Sequence, residues 1–340
     1  MTPESTSTSS PHLKSQSLGP ARLLAAALLF AVAAPFAIAQ TSTMIVARAM
    51  PAKAKKGEVY PSLPALTQAD IAEIKINGKT AAVTNLEPLL KGPHVLQLMV
   101  VLDSMEMIGA NGQFDDLKQF FHDMPPNVEI GVGYLLQGNV KVAQPPTTDR
   151  DLVGKALHMQ SREQAADPKN DNGNPYSCLK QLAYHWPSGD PAKLRAVLVF
   201  TDGITRGNGQ TQAGDQLNPD VEGASQALQK EGILPFAFFY QDPIIPDPNR
   251  SEGGQLEGQT NFVQLAADTG GAALYDGLFA PSAFGPLLNR LYTILQNSTV
   301  ITVNAPGASG KEMRLDIKAA REDIKVFAPE SVTLGNVLKK

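Results

Sequence analysis

The chain has 340 residues, of which 43% are hydrophobic and 18% are charged, and its formal net charge at pH 7 is -4. This composition is typical of a globular protein, and the mild acidity argues against nucleic acid as a partner, because nucleic-acid-binding surfaces are basic. The single cysteine excludes an intramolecular disulfide and a thiolate zinc cluster. The histidines show no spacing typical of a zinc hydrolase.

Residues 1–39 have the features of a signal peptide. A polar segment precedes an apolar run over 23–34, and the run ends in the triplet Ala-Ile-Ala at 37–39, which is a small-x-small cleavage pattern. An uncleaved membrane anchor is the alternative, because the apolar stretch lies at the short edge of a membrane span. We favour cleavage and expect an exported protein, periplasmic or extracellular, with no membrane span after cleavage.

Two segments separate the signal peptide from the main domain. Residues 40–64 show no apolar period and carry several cations, Arg48 among them, which predicts a flexible linker with solvated charges. In residues 65–92, two apolar segments flank Asn77-Gly78, a pair typical of a type I′ turn. We expect this stretch to form a β-hairpin extension.

Residues 93–298 alternate between apolar strands and amphipathic helices. Nearly continuous apolar runs, such as those at 95–102 and 196–201, are typical of strands that are buried on both faces. This alternation predicts an α/β fold with a doubly wound, mostly parallel sheet and helices on both faces. Residues 299–340 contain three short strand patterns, which predict a small C-terminal β appendage.

Two carboxylates follow buried strands of this domain. Asp103 ends the first strand, and Asp202 follows the strand at 196–201. Ligands of open α/β sheets bind beyond the carboxyl ends of the strands, where the strand order reverses, and carboxylate oxygens suit hard cations such as Mg²⁺. Alternatively, each aspartate caps the segment that follows it. The spacing alone leaves both interpretations open.

The order of elements from 93 to about 297 resembles a von Willebrand factor type A (VWA) domain. The resemblance rests on the strand that ends in Asp103, on AVLVFTDG at 196–203 and on LAADTGG at 265–271. The hairpin and the β tail resemble a VWFA-related subgroup first noticed in acidobacteria. This resemblance implies a Rossmann-like fold and a role in protein recognition or adhesion.

The family also implies a metal-ion-dependent adhesion site that holds Mg²⁺ or Mn²⁺. By the resemblance, Asp103 matches the first residue of an Asp-x-Ser-x-Ser loop and Asp202 matches a later aspartate. Ser177, just before a helix that we expect to start at Cys178, stands where a threonine is expected. The chain departs from the pattern at Met105 and Met107, which replace the two serines. Methionine sulfur is a poor ligand for magnesium. The site is therefore partly degenerate. The sequence is compatible with a site that binds metal and with one that has lost this function.

We expect an exported, non-enzymatic VWA-type recognition or adhesion module with an unidentified protein partner. The sequence carries no arrangement of a nucleophile with a base that would indicate an enzyme. The alternative is a structural scaffold protein of the cell envelope with an inactive metal site, in which the hairpin and the β tail bind partners by strand addition. An exported hydrolase is a third interpretation and rests on the aspartate pair alone.

Overall fold

The computed structural model describes ten stretches of the chain, all of them within the unit Ile38–Lys340. They are residues 40–53, 63–103, 110–136, 138–158, 174–190, 192–204, 218–241, 252–277, 280–306 and 310–335. The signal-peptide prediction for 1–39 lies outside the described residues.

The described residues form fourteen strands and six α-helices. The strands are β1 (Gln40–Pro51), β2 (Ile71–Ile76), β3 (Lys79–Thr80), β4 (Ala82–Pro88), β5 (Leu96–Asp103), β6 (Val128–Leu136), β7 (Asn139–Thr147), β8 (Leu194–Thr201), β9 (Ile233–Phe239), β10 (Ala272–Leu274), β11 (Ser298–Pro306), β12 (Glu312–Ala319), β13 (Ile324–Phe327) and β14 (Ser331–Thr333). The helices are α1 (Phe114–Asp123), α2 (Arg150–Lys155), α3 (Pro175–Tyr184), α4 (Pro219–Glu231), α5 (Glu252–Thr269) and α6 (Gly285–Gln296). Among these helices, none is both long and apolar enough to cross a membrane.

A six-stranded sheet forms the centre of the fold, in the order β7-β6-β5-β8-β9-β10. The edge strand β7 runs antiparallel to β6, and the other neighbouring strands are parallel. Numbered along the chain, this order is 3-2-1-4-5-6, which is that of a doubly wound sheet. The predicted mostly parallel α/β sheet is therefore confirmed.

The helices cover both faces of the central sheet, as the buried strands require. Strands β5 and β9 are buried over their whole length, so each face needs an apolar covering layer. Helices α1, α2 and α6 contribute to the hydrophobic cluster on one face, and α3, α4 and α5 contribute to the cluster on the other. Gly232 caps the end of helix α4 in the left-handed conformation (φ 66°), which glycine adopts readily at this position.

A second part of the fold consists of two four-stranded sheets. Their orders are β13-β1-β11-β4 and β14-β12-β2-β3, with antiparallel pairing. Buried residues of both sheets form one hydrophobic cluster, which includes Ile45, Ile301, Ile74 and Leu315. The two sheets therefore pack face to face as a β-sandwich.

The predicted flexible linker is wrong for residues 40–51. These residues form β1, which pairs with β11 and β13. Alternate side chains of β1 face opposite ways: Ile45 packs in the sandwich, whereas Met44 and Val46 pack against the cluster of the α/β part. Strand β1 therefore contributes side chains to the hydrophobic clusters of both parts of the fold.

The sequence predicted that Arg48 is a solvated cation, and this prediction is wrong. The side chain is buried and connects the two parts of the fold. Its side chain is 7% exposed. Its guanidinium donates to the carbonyl oxygens of Gly270 (2.9 Å) and Gly271 (2.5 Å) and lies 4.4 Å from the ring centroid of Phe327. These contacts join β1 to the loop that precedes β10.

The N-terminal hairpin and the C-terminal strands share a single core. Strands β2 and β3 pair around Asn77 and Gly78, whose φ values of 50° and 77° are typical of a type I′ turn. Strand β4 then crosses to the other sheet and pairs with β11. The sequence predicts an extension over 65–92 and an appendage over 299–340 as separate additions, but their strands combine with β1 in the sandwich.

Candidate functional site

The candidate site lies at the switch point of the central sheet, between β5 and β8. The two strands are parallel neighbours, with Leu102 level with Phe200. Asp103 is the last residue of β5, and Asp202 follows β8 directly. After β5 the chain continues into one half of the sheet, to β6, and after β8 it continues into the other half, to β9. Both carboxylates therefore lie where such sheets bind ligands.

Thr201 joins the two strand ends through a hydrogen bond to Asp103. Its Oγ1 donates to Oδ2 of Asp103 at 2.8 Å. Asp103 is 1% exposed, and Thr201 and Asp202 are 0% exposed. A buried hydrogen bond to a charged acceptor is a strong one, so Thr201 fixes the Asp103 carboxylate. Sequence reasoning missed this residue, although its place beside Asp202 at the strand end was a usable signal.

Asp202 shapes the turn that follows β8. Its Oδ1 accepts from the backbone N–H of Ile204 at 3.0 Å, and the intervening Gly203 has a φ of 70°. The side chain thus caps its own turn, as short acidic residues often do. The alternative interpretation, in which the aspartate caps the segment that follows it, therefore agrees with this hydrogen bond of Asp202.

The segment after Asp103, which contains Met105 and Met107, lies outside the described residues.

Helix α5 packs directly on this turn through Gly258. A Cβ atom on Gly258 would overlap the carbonyl oxygen of Asp202, and one on Gly203 would lie 2.8 Å from the ring of Phe262. Glycine weakens a helical pattern, but at position 258 the missing side chain allows the helix backbone to approach the site.

Ser177 lies in the first turn of α3, and not before the helix as the sequence predicted. Helix α3 begins at Pro175, and the Asn174 side chain caps it by accepting from the backbone N–H groups of Tyr176 (3.1 Å) and Ser177 (3.0 Å). Ser177 is partly exposed, whereas Tyr176 and Cys178 on either side of it are buried.

Burial raises the pKa values of both neighbours of Ser177, and the two aspartates add to the rise. Burial raises the pKa of Tyr176 well above its ordinary value, and the negative charge of Asp202 adds to this rise. Burial also raises the pKa of the Cys178 thiol to about 12, with a further contribution from Asp103. The Tyr176 hydroxyl donates to the carbonyl oxygen of Gly203 at 2.9 Å, so the first turn of α3 packs against the turn that follows β8.

The donor set at this edge fits a hard divalent cation. Asp103 and Asp202 would offer carboxylate oxygens and Ser177 would offer a hydroxyl, which are ligand types that Mg²⁺ and Mn²⁺ prefer. The described residues contain no group of three or more His, Cys, Asp or Glu side chains that could hold a metal ion. An ion at this edge would therefore rely on two carboxylates, hydroxyls and water, which is a common set for magnesium.

A doubly wound sheet with one aspartate at the end of β5 and another after β8 is the arrangement that the resemblance implied. The chain has a VWA-like fold. No protein-family model matches the chain, and no curated protein sequence matches it.

Several solved structures are similar to the chain. An aerotolerance-related membrane protein from Bacteroides fragilis is 15% identical with a TM-score of 0.40, over 59% of this chain and 98% of that one. BatB from Bacteroides thetaiotaomicron is 13% identical with a TM-score of 0.40, over 58% and 97%. The VWA domain of SpRpn10 is 14% identical with a TM-score of 0.37, over 58% and 95%. At these values the likenesses carry no functional inference for this chain.

Proposed function

We propose that the chain is an exported VWA-type recognition module that binds a protein partner at the switch-point edge, with Mg²⁺ or Mn²⁺ held by Asp103, Ser177 and Asp202. The observation that carries this proposal is the pair of buried aspartates at the ends of two neighbouring parallel strands. The signal-peptide pattern over 1–39 supports export.

Each of the three residues has its own part in the proposed site. Asp103 is held in place by Thr201 (2.8 Å), and Asp202 by the backbone of Ile204 (3.0 Å). Ser177 stands at the exposed side of the first turn of α3, where a partner can approach. A bound divalent ion would take a carboxylate oxygen of the partner as a further ligand.

Thermal unfolding of the protein with EDTA, and then with 10 mM Mg²⁺ or Mn²⁺, tests this site. A dissociation constant of about a hundredth of the metal concentration would stabilise the fold by roughly 2.7 kcal/mol, which raises Tm by about 5 °C or more. In Asp202→Asn the amide oxygen can still cap Ile204, but the charge is gone, so we expect no rise. An unchanged Tm in the wild-type protein would contradict the metal site.

A scaffold role in the cell envelope is the second candidate, and the β-sandwich favours it. The sandwich has its own core, and one of its sheets ends in β4, whose residues are largely exposed. Such an edge can pair with a strand of another chain. Asn85→Lys places a charge on this exposed strand, and loss of assembly with unchanged metal binding would favour the scaffold role.

A further inference from the structure

A cavity of about 240 Å³ lies at the opposite end of the central sheet from the aspartates. It is lined by residues 44–46 of β1, by 193–195 at the start of β8, by 228–234 between α4 and β9, and by 331–335 in and after β14. The cavity therefore lies where the sandwich meets the α/β part. Its volume is below the 300–1,000 Å³ of drug-sized sites, so it suits only a small molecule.

Most of the cavity wall is apolar. The apolar residues that line it include Met44, Val46, Leu194, Leu234, Val332 and Leu334. At roughly 30 Å³ for each water-sized group, this volume holds about eight non-hydrogen atoms. A ligand with a short hydrocarbon body would therefore fill it.

The charged residues on the wall favour an anionic head group. Among the described lining residues, Lys193, Arg195 and Lys230 are cations, and Glu231 is the carboxylate. The charge of Lys193 is already paired, because its Nζ donates to both carboxylate oxygens of Glu129 at 2.8 and 3.0 Å, and Glu129 does not line the cavity. Lys230 lies over the ring of Tyr184, 5.6 Å from its centroid.

Arg195 has a donor that no described group satisfies. Its side chain is 14% exposed, and its Nη1 lies 4.0 Å from Oε2 of Glu231. The guanidinium also lies 5.7 Å from the ring centroid of Trp186. The Nε atom is buried and has no hydrogen-bond partner. A buried donor in this state costs about 1–3 kcal/mol. Arg195 is therefore less fully paired than Lys193, and a ligand carboxylate would give its guanidinium a further acceptor.

We propose that this cavity binds a small carboxylate with a hydrocarbon body of about six carbons, and that Arg195 holds the carboxylate. The hydrocarbon lies between β1 and β14 on the sandwich side and the starts of β8 and β9 on the sheet side. The site shares no residue with the aspartate edge. It does not depend on metal binding there.

Titration calorimetry of the purified protein with three six-carbon probes tests this proposal. Hexanoate, 1-hexanol and hexylamine each contain six carbon atoms in an unbranched chain and differ in the charge of the head group. We expect hexanoate to bind with a dissociation constant below about 1 mM, at least tenfold more tightly than 1-hexanol, and hexylamine to bind most weakly. An absence of saturable hexanoate binding, or equal affinity for hexylamine and hexanoate, would overturn the proposal.

Two variants separate the head group from the cavity. Arg195→Met removes the charge and keeps an apolar side chain, so hexanoate should lose its tenfold advantage over 1-hexanol. Val46→Phe extends a half-buried residue of the wall into the cavity, so all three probes should lose binding even if the arginine variant fails to fold. Full hexanoate affinity in Val46→Phe would place the ligand elsewhere. Asp202→Asn should bind hexanoate like the wild-type protein, which distinguishes this site from the aspartate edge.

Discussion

The hydroxyl of Thr201 donates a hydrogen bond to the carboxylate of Asp103 at 2.8 Å, across the neighbouring strands β8 and β5. Both residues are buried at the carboxyl end of the sheet. The bond ties the end of one strand to the proposed metal ligand on the other. Stability and metal affinity should therefore change together when it is removed.

Thr201→Val removes this hydrogen bond and keeps the shape of the side chain. Asp103 then loses a buried donor, so the free energy of unfolding should fall by about 2 kcal/mol, and metal affinity should fall with it. Urea unfolding with and without Mg²⁺ measures both. Thr201→Ser is the control and should restore most of the loss. Surface substitutions change the free energy of unfolding by up to about 0.5 kcal/mol. If the change in the valine variant is no larger than this, the bond contributes little to stability.

Arg48→Met should destabilise the protein by about 3 kcal/mol. The substitution removes two hydrogen bonds to backbone carbonyl oxygens and the contact with Phe327, and it leaves buried acceptors unsatisfied. Lys53 provides a matched control from the same cationic segment, because it is exposed. Lys53→Met should change the unfolding free energy by less than about 0.5 kcal/mol. Equal effects of the two substitutions in chemical denaturation would contradict the buried position of Arg48.

Gly258→Ala should destabilise the protein, because the new Cβ overlaps the carbonyl oxygen of Asp202 and forces α5 away from the turn. We expect a loss of about 2 kcal/mol. Gly223→Ala in α4 is the matched helical control, since its Cβ would meet only the Lys180 Nζ at 3.7 Å. This control should be neutral or stabilising by about 0.5–1 kcal/mol. Thermal melting compares the two, and a neutral Gly258→Ala would rule out the close approach.

Cys178 should be unreactive in the folded protein. Its pKa is raised to about 12, so almost none of the thiol is ionised at pH 8, and the residue is buried. The thiol reagent DTNB should label it only after urea is added. Rapid labelling of the native protein at pH 8 would contradict the buried, neutral thiol.

The same pKa shift predicts a loss of stability at high pH. The folded pKa of Cys178 is above the ordinary value of 9.0, so above pH 9 the unfolded chain releases a proton that the folded chain keeps. The free energy of unfolding should therefore fall as the pH rises from 9 toward 12, at up to about 1.4 kcal/mol for each pH unit. Cys178→Ala should be less sensitive to pH over this range. Identical pH profiles for the two proteins would show that this thiol does not contribute.

The central sheet could be predicted because each of its buried strands is visible as a run of apolar residues in the sequence. Strands β5, β8 and β9 are continuous apolar runs, as burial on both faces requires, and a following aspartate identifies a strand end. Thr201 and Gly258 were missed for a different reason. Their roles come from contacts with Asp103 and Asp202 across the fold, and these contacts leave no mark in the neighbouring sequence.

The sandwich could not be predicted in the same way. Strand β1 pairs with β11, so that Ile45 is level with Ile301, and no local pattern reports such a distant partner. The polar residues and Arg48 within β1 obscure its alternation, which led to the prediction of a linker. The charge of Arg48 suggested exposure, but its partners are backbone carbonyl oxygens far along the chain.

Titration of the protein with Mn²⁺, followed by electron paramagnetic resonance, tests most directly whether Asp103 and Asp202 hold a divalent ion. The wild-type protein should bind one Mn²⁺ per chain, which Mg²⁺ displaces, and Asp202→Asn should bind none in the same concentration range. Equal Mn²⁺ binding by the two proteins, or none by the wild-type protein, would contradict a metal site at the switch point.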